Sequence, residues 1–167
     1  MVLKPERKGK EKLFFDLCTQ VVKENMLEIY DLDYFPGQSL LRIFIYNIET
    51  ETATLDDCAK IDRALTPFIE SEDWMPKELN LEISSPGIYR SLNSVEHFYN
   101  SIGKSLSVLL CKKLGIDSFT DLPKKLLNTK KINGLLIECN ETEILLESKE
   151  NKLKLQYSEI KKANIEN

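Results

Sequence analysis

The sequence predicts an α+β protein of two modules: an N-terminal α-β-β-α-β domain and a C-terminal small β-barrel of SH3-like or Sm-like type. Three observations carry this. Apolar residues recur at three- and four-residue spacing over 10–25 and again over 55–68, the period of one helical face. Short β-rich or alternating runs lie between and after these helices, at 27–35, 40–46 and 79–84. From 105 onward the chain reads as short strands at close spacing, the pattern of a small barrel. Ser85-Pro86-Gly87 interrupts the chain between the two patterns and sets the domains at 1–90 and 91–167.

Residues 1–9 carry no apolar period and are expected to be flexible. In the first helix, Leu13, Phe14, Leu17, Cys18, Val21 and Val22 form the apolar stripe. LEIYDLDYF (27–35) and LLRIFIY (40–46) flank Pro36-Gly37, so they are expected to pair as a hairpin. Leu41, Ile43 and Ile45 share one face of the second strand. Thr54 suits an N-cap, because its hydroxyl can accept from an unpaired N–H of the first turn. Asp56 and Asp57 then place negative charge at the positive end of the helix dipole. Leu55, Cys58, Ile61, Leu65 and Phe68 form the buried stripe of this second helix. Pro67 lacks an N–H and disfavours helical geometry at Thr66, so the helix is expected to end or kink there.

The strand LNLEIS (79–84) follows, with Leu79, Leu81 and Ile83 inward. Ser94 caps a brief helix with Val95, Phe98 and Ile102 inward, and Gly103 is its stop. Strands are expected at 105–111, 132–139, 143–148 and 152–157, with a fifth short element near 160–165. The connection at 112–131 is long for such a barrel and carries a helical turn around 121–128.

The chain has 167 residues and a formal net charge of −4. Its hydrophobic content of 42% is too high for a disordered chain. No run approaches the roughly 18 apolar residues of a membrane span. The basic start, Lys4 to Lys12, is followed by no apolar stretch of the kind a secretory signal has. Charge is unevenly spread. Residues 27–83 hold four bases and thirteen acids, whereas 104–131 hold seven lysines and two aspartates. An acidic module therefore precedes a basic one, which suits a basic protein partner for the first and a polyanion for the second.

Catalytic patterns are scarce. Cys18, Cys58, Cys111 and Cys139 form no C-x-x-C, and they read as small hydrophobes in a reducing compartment. His97 is the only histidine and reads as structural. Asp56-Asp57 are explained by the helix start, and Asp31 and Asp33 suit a strand surface rather than a metal cage. No nucleophile elbow, P-loop, dinucleotide-binding glycine run or zinc-type cluster is present, so no enzyme activity, cofactor or metal is expected. The first module has no G-x-x-G clamp for RNA, since Gly37 is the only glycine in 13–84. In the second module Lys112, Lys113, Lys124, Lys125, Lys130 and Lys131 are candidates to neutralise phosphates, with Phe119 and Tyr157 as aromatic platforms. The stretch 79–90, LNLEISSPGIYR, sets Ser84, Ser85, Pro86 and Gly87 at a strand end, followed by Arg90. Hydroxyls and an Arg fork placed there suit hydrogen bonding to a partner.

The stretches LDDCAKIDRAL (55–65) and LEISSPGIYRSL (81–92), followed by His97-Phe98 and Ile102-Gly103-Lys104, resemble the ribosome maturation factor family RimP. The resemblance runs from about residue 13 to the end and weakens across 112–130, where this chain carries a Lys-rich insertion. It implies a cytoplasmic bacterial factor, monomeric and without catalysis, that assists assembly of the small (30S) ribosomal subunit. The partners it implies are the free 30S subunit and a basic small-subunit protein near the decoding centre; 16S rRNA joins them if the lysines meet RNA. Ser84, Ser85, Pro86, Gly87 and Arg90 match the family motif, whereas Tyr89 and Ser91 stand where the family has Asp and Pro. The competing class is a stand-alone RNA-binding regulator on an Sm-like barrel.

Overall fold

A computed structural model describes residues 1–113, 129–149 and 151–166. The chain is mixed α+β and divides into two compact units. The first unit comprises Glu6–Gly87; the second comprises Ile88–Asn167 together with Met1–Pro5. The N-terminal assignment differs from expectation. Instead of a flexible leader of the first domain, Val2 is buried in the core of the second unit with Leu3 packed against it. The Lys4 N–H donates to the Asn93 carbonyl at 2.8 Å. Two apolar residues are too short a run to show a period, so no local pattern marks this anchor.

In the first unit, α1 (Gly9–Glu24) leads to β1 (Glu28–Phe35), β2 (Leu40–Tyr46), α2 (Leu55–Ser71) and β3 (Asn80–Ser84). The turn after α1 places Met26 at positive φ, and the Leu27 N–H reaches back to the Val22 carbonyl. That pattern closes a helix end even without glycine. β1 and β2 pair antiparallel around a turn at Pro36–Gln38. β3 pairs parallel to β2, so α2 is the crossover, and the sheet order is β1-β2-β3. Phe14, Cys18, Val21 and Val22 of α1 share one core with Ile61 and Leu65 of α2 and with Leu32, Leu41, Ile43 and Ile45.

α2 begins in a capping box. The Asp57 N–H donates to the Thr54 hydroxyl, and the Thr54 N–H donates to the Asp57 carboxylate. Two expected core residues lie outside. Leu13 is exposed, and Leu55 is 88% exposed. At 3.6 residues per turn, Leu55 lies about 100° and Leu13 about 125° round its helix from the centre of the buried stripe. α2 also runs past Pro67 to Ser71. The proline ring is exposed, and Phe68 and Ile69 pack on the core and hold the last turn in place. The Thr66 hydroxyl donates to the Asp62 carbonyl at 3.0 Å.

In the second unit, α3 (Val95–Tyr99) precedes β4 (Ser105–Leu110), β5 (Lys131–Cys139), β6 (Glu143–Ser148), β7 (Asn151–Gln156) and β8 (Ile160–Ile165). Ile102 is exposed, because α3 stops three residues earlier and helical spacing no longer applies. The strands pair antiparallel in the order β7-β6-β5-β4-β8. The expected barrel is not closed, and β7 and β8 are the sheet's edge strands. A tight turn at Tyr157–Ile160 redirects the chain, so that β8 pairs with β4 and does not fold back on β7. Inward residues alternate along the strands, among them Leu106, Val108, Ile132, Leu136, Leu146, Leu153 and Ile165, and Phe98 of α3 joins them. The helical turn expected at 121–128 lies outside the described residues.

Candidate functional site

The SSPG segment closes the first unit. Ser84 ends β3 in register with Phe44 and is exposed, whereas Ser85 and Pro86 are half-buried. Gly87 has φ +75°, and an added Cβ there would meet no atom within 4 Å. Its backbone conformation, not crowding, calls for glycine. Arg90 falls in the second unit, where residues 89–92 run along β8. The Ile165 N–H donates to the Arg90 carbonyl at 3.1 Å, and the Leu92 N–H donates to the Ala163 carbonyl at 2.9 Å. Asn164 Nδ2 donates to the Tyr89 carbonyl and to the Ser91 hydroxyl, at 2.9 and 3.0 Å. Ser91 therefore fixes this segment through its side chain, a role a proline at that position does not have. The five partner-binding candidates thus divide, four in the first unit and Arg90 in the second.

The four described lysine candidates converge at one end of the β5-β4-β8 sheet. Lys130 and Lys131 enter β5 beside the end of β4, where the Leu110 N–H donates to the Lys130 carbonyl. Lys112 and Lys113 leave β4 at the same end. All four are exposed. Lys124 and Lys125 lie outside the described residues, as does Phe119. Tyr157 is no platform. It is buried, packs on Phe98, and its hydroxyl donates to the Asn140 carbonyl at 3.0 Å.

The sequence reading missed Lys161 and Lys162. In β8, Lys162 lies opposite Leu109 and Ile160 lies opposite Leu110, so Lys161 is an extra residue in the ladder. A bulge of this kind leaves both lysines exposed at the lysine-rich end. They are about 30 residues from Lys131 in sequence, and only the pairing of the last strand with the first of the sheet brings them together. Glu159, the carboxylate nearest in sequence, accepts from the Gln156 N–H at 2.8 Å.

The first unit supplies an acidic surface. Asp33, Arg42 and Glu82 lie side by side across the three strands, and Arg42 Nε is 2.7 Å from Glu82. Asp31 differs from expectation because it is buried. Arg7 Nη2 lies 2.9 Å from its carboxylate, and the Leu32 N–H donates to the same oxygen at 2.8 Å. The Arg7 guanidinium also sits 4.2 Å from the Phe15 ring centroid. Glu49, Asp56, Asp62, Glu70, Asp73 and Glu78 are all exposed. Hydrogen bonds from the Thr54 backbone, then its hydroxyl, hold the Asp57 carboxyl below its usual range.

His97 sits in α3, where its Nδ1 accepts from the Asn93 N–H at 3.3 Å and the Ser94 hydroxyl caps its own N–H. This is a positioned turn residue. Among the described residues, no three His, Cys, Asp or Glu side chains come together to hold a metal, and no helix is long and apolar enough to cross a membrane.

A scan of family models matches residues 17–89 to the RimP N-terminal domain. The match takes in the second half of α1, everything from β1 to β3, and the SSPG segment, and it ends one residue before Arg90. Over residues 17–89 the chain is thus similar to the RimP N-terminal domain, and that match supports the RimP family.

Proposed function

We propose that this protein is a non-catalytic factor in the maturation of the small (30S) ribosomal subunit, acting as a monomer in the bacterial cytoplasm. The observation that carries the reading is the RimP N-terminal domain match over 17–89. The segregation of charge supports it. The acidic first unit suits a basic ribosomal protein near the decoding centre, and the lysine-rich end of the second unit suits 16S rRNA. Ser84–Gly87 in the first unit and Arg90 in the second are the residues assigned to partner contact.

Sedimentation of cell extracts tests this. The protein is expected to travel with free small subunits and to be absent from translating ribosomes. Arg90→Ala is expected to weaken that association several-fold while leaving the circular dichroism spectrum unchanged. Sedimentation with bulk RNA and no preference for small subunits would instead favour an RNA-binding regulator without ribosome specificity, a reading the lysine cluster also supports. Unchanged association of the Arg90→Ala protein would return residues 84–90 to the role of a chain turn.

A further inference from the structure

The lysine end of the second unit has a particular chemical character. Lys131 and Lys162 flank Leu109 from the two neighbouring strands, and the bulge adds Lys161 beside them. Lys112, Lys113 and Lys130 extend the same end. Among the described residues none of these six lysines takes part in an ion pair, whereas Lys154 on edge strand β7 lies 4.0 Å from Glu143. Among the described residues, no carboxylate neutralises the positive charge at this end.

Among the described residues, the exposed aromatic residues of the unit lie elsewhere. Tyr89 lies beside Asn164, towards the far end of β8, and Tyr99 precedes the start of β4. The six residues of β4 separate its two ends by roughly 17 Å at about 3.3 Å per residue. Single-strand binders that ignore sequence stack bases on aromatic side chains, and none among the described residues stands at the lysine end.

We infer that the sheet end formed by Lys131, Lys161 and Lys162 is a docking site for the phosphate backbone of double-helical RNA, read by charge and spacing and not by base identity. This rests on the reading of the second unit as the RNA-facing one, and it adds the surface, two residues and the form of RNA. Lysines act on phosphates as point charges, so each contact adds affinity without sequence preference.

The test uses the full chain, a short blunt RNA hairpin and a uridine oligonucleotide of equal phosphate count, titrated at several salt concentrations. The hairpin is expected to bind more tightly. K161Q/K162Q is expected to weaken hairpin binding at low salt about tenfold or more and to flatten the salt slope by about 2, one per lost phosphate contact. K152Q/K154Q on β7 removes the same charge and is expected to leave binding within about twofold. Equal effects of the two double variants would reduce the site to net charge and overturn the proposal, as would tighter binding of the uridine strand. If K161Q/K162Q binds as the parent does while K112Q/K113Q is weakened, this surface is wrong and the RNA-facing unit stands. If the parent chain binds neither RNA, both fall.

Discussion

Cys18 and Cys111 are the same side chain in opposite surroundings. Cys18 is buried in α1 against the first core, and burial pushes its thiol up to about 12. Cys139 is also buried, and its thiol too is raised, first by burial. Cys111 is exposed at the end of β4. The thiolate is the reactive form, so alkylation of the native protein at pH 8 is expected to mark Cys111 within minutes and Cys18 only after unfolding, read by peptide mass spectrometry. Cys18 labelled as fast as Cys111 would mean that α1 opens locally. The pH consequence has a definite sign. The folded state keeps the Cys18 thiol protonated while the unfolded chain releases it near 9. Its contribution to stability is thus whole below about 9 and is lost as pH rises towards 12. Tyr157, raised by burial, acts in the same direction. Cys18 was legible as a core residue because it lies on a helical stripe. Asp31 was not. Its partner Arg7 is 24 residues away, and no local pattern marks a strand carboxylate as buried.

At the scale of elements, every described helix and strand was legible from period and punctuation, because each buries one face. The limits of α2 were not. Propensity reads Pro67 as a stop, yet the helix carries on because Phe68 and Ile69 are held by the core, and tertiary packing outweighs the local cost. A strained proline inside a helix is a defect that substitution can remove. Pro67→Ala restores an N–H and relieves the ring clash, a gain of about 3 kcal/mol in a helix interior, less up to about 1 kcal/mol for the freer unfolded chain. A net stabilisation of about 2 kcal/mol is expected, seen as a higher urea midpoint at unchanged slope. A lower midpoint would show that the packing of Phe68 and Ile69 needs the proline's geometry. Strand order was illegible for a different reason. Alternation tells which face of β8 is buried and says nothing of which strand lies beside it. The lysine site depends on that neighbour, so four of its six described members could be named from sequence and two could not.

At the scale of the molecule, the net charge of −4 conceals the separation of acid from base, which runs along the chain and was readable there. The division into units was only partly readable, since the chain passes between them twice, after Pro5 and after Gly87. The second passage is marked by a strand end, a proline and a glycine at positive φ. The first has no such mark, and the anchor that defines it is Val2, buried with Leu92, Phe98 and the strands of the second unit. A charge at that position cannot be paired there, and burying it costs several kcal/mol, so the segment would be expelled. Val2→Asp is therefore expected to speed amide hydrogen exchange in β4 to β8 while leaving β1 to β3 at the parent rates. That pattern separates a structural role for the first residues from a flexible leader, for which neither unit would respond. Equal acceleration in both units would mean that they unfold together, and the boundary after Pro5 would then carry no thermodynamic meaning.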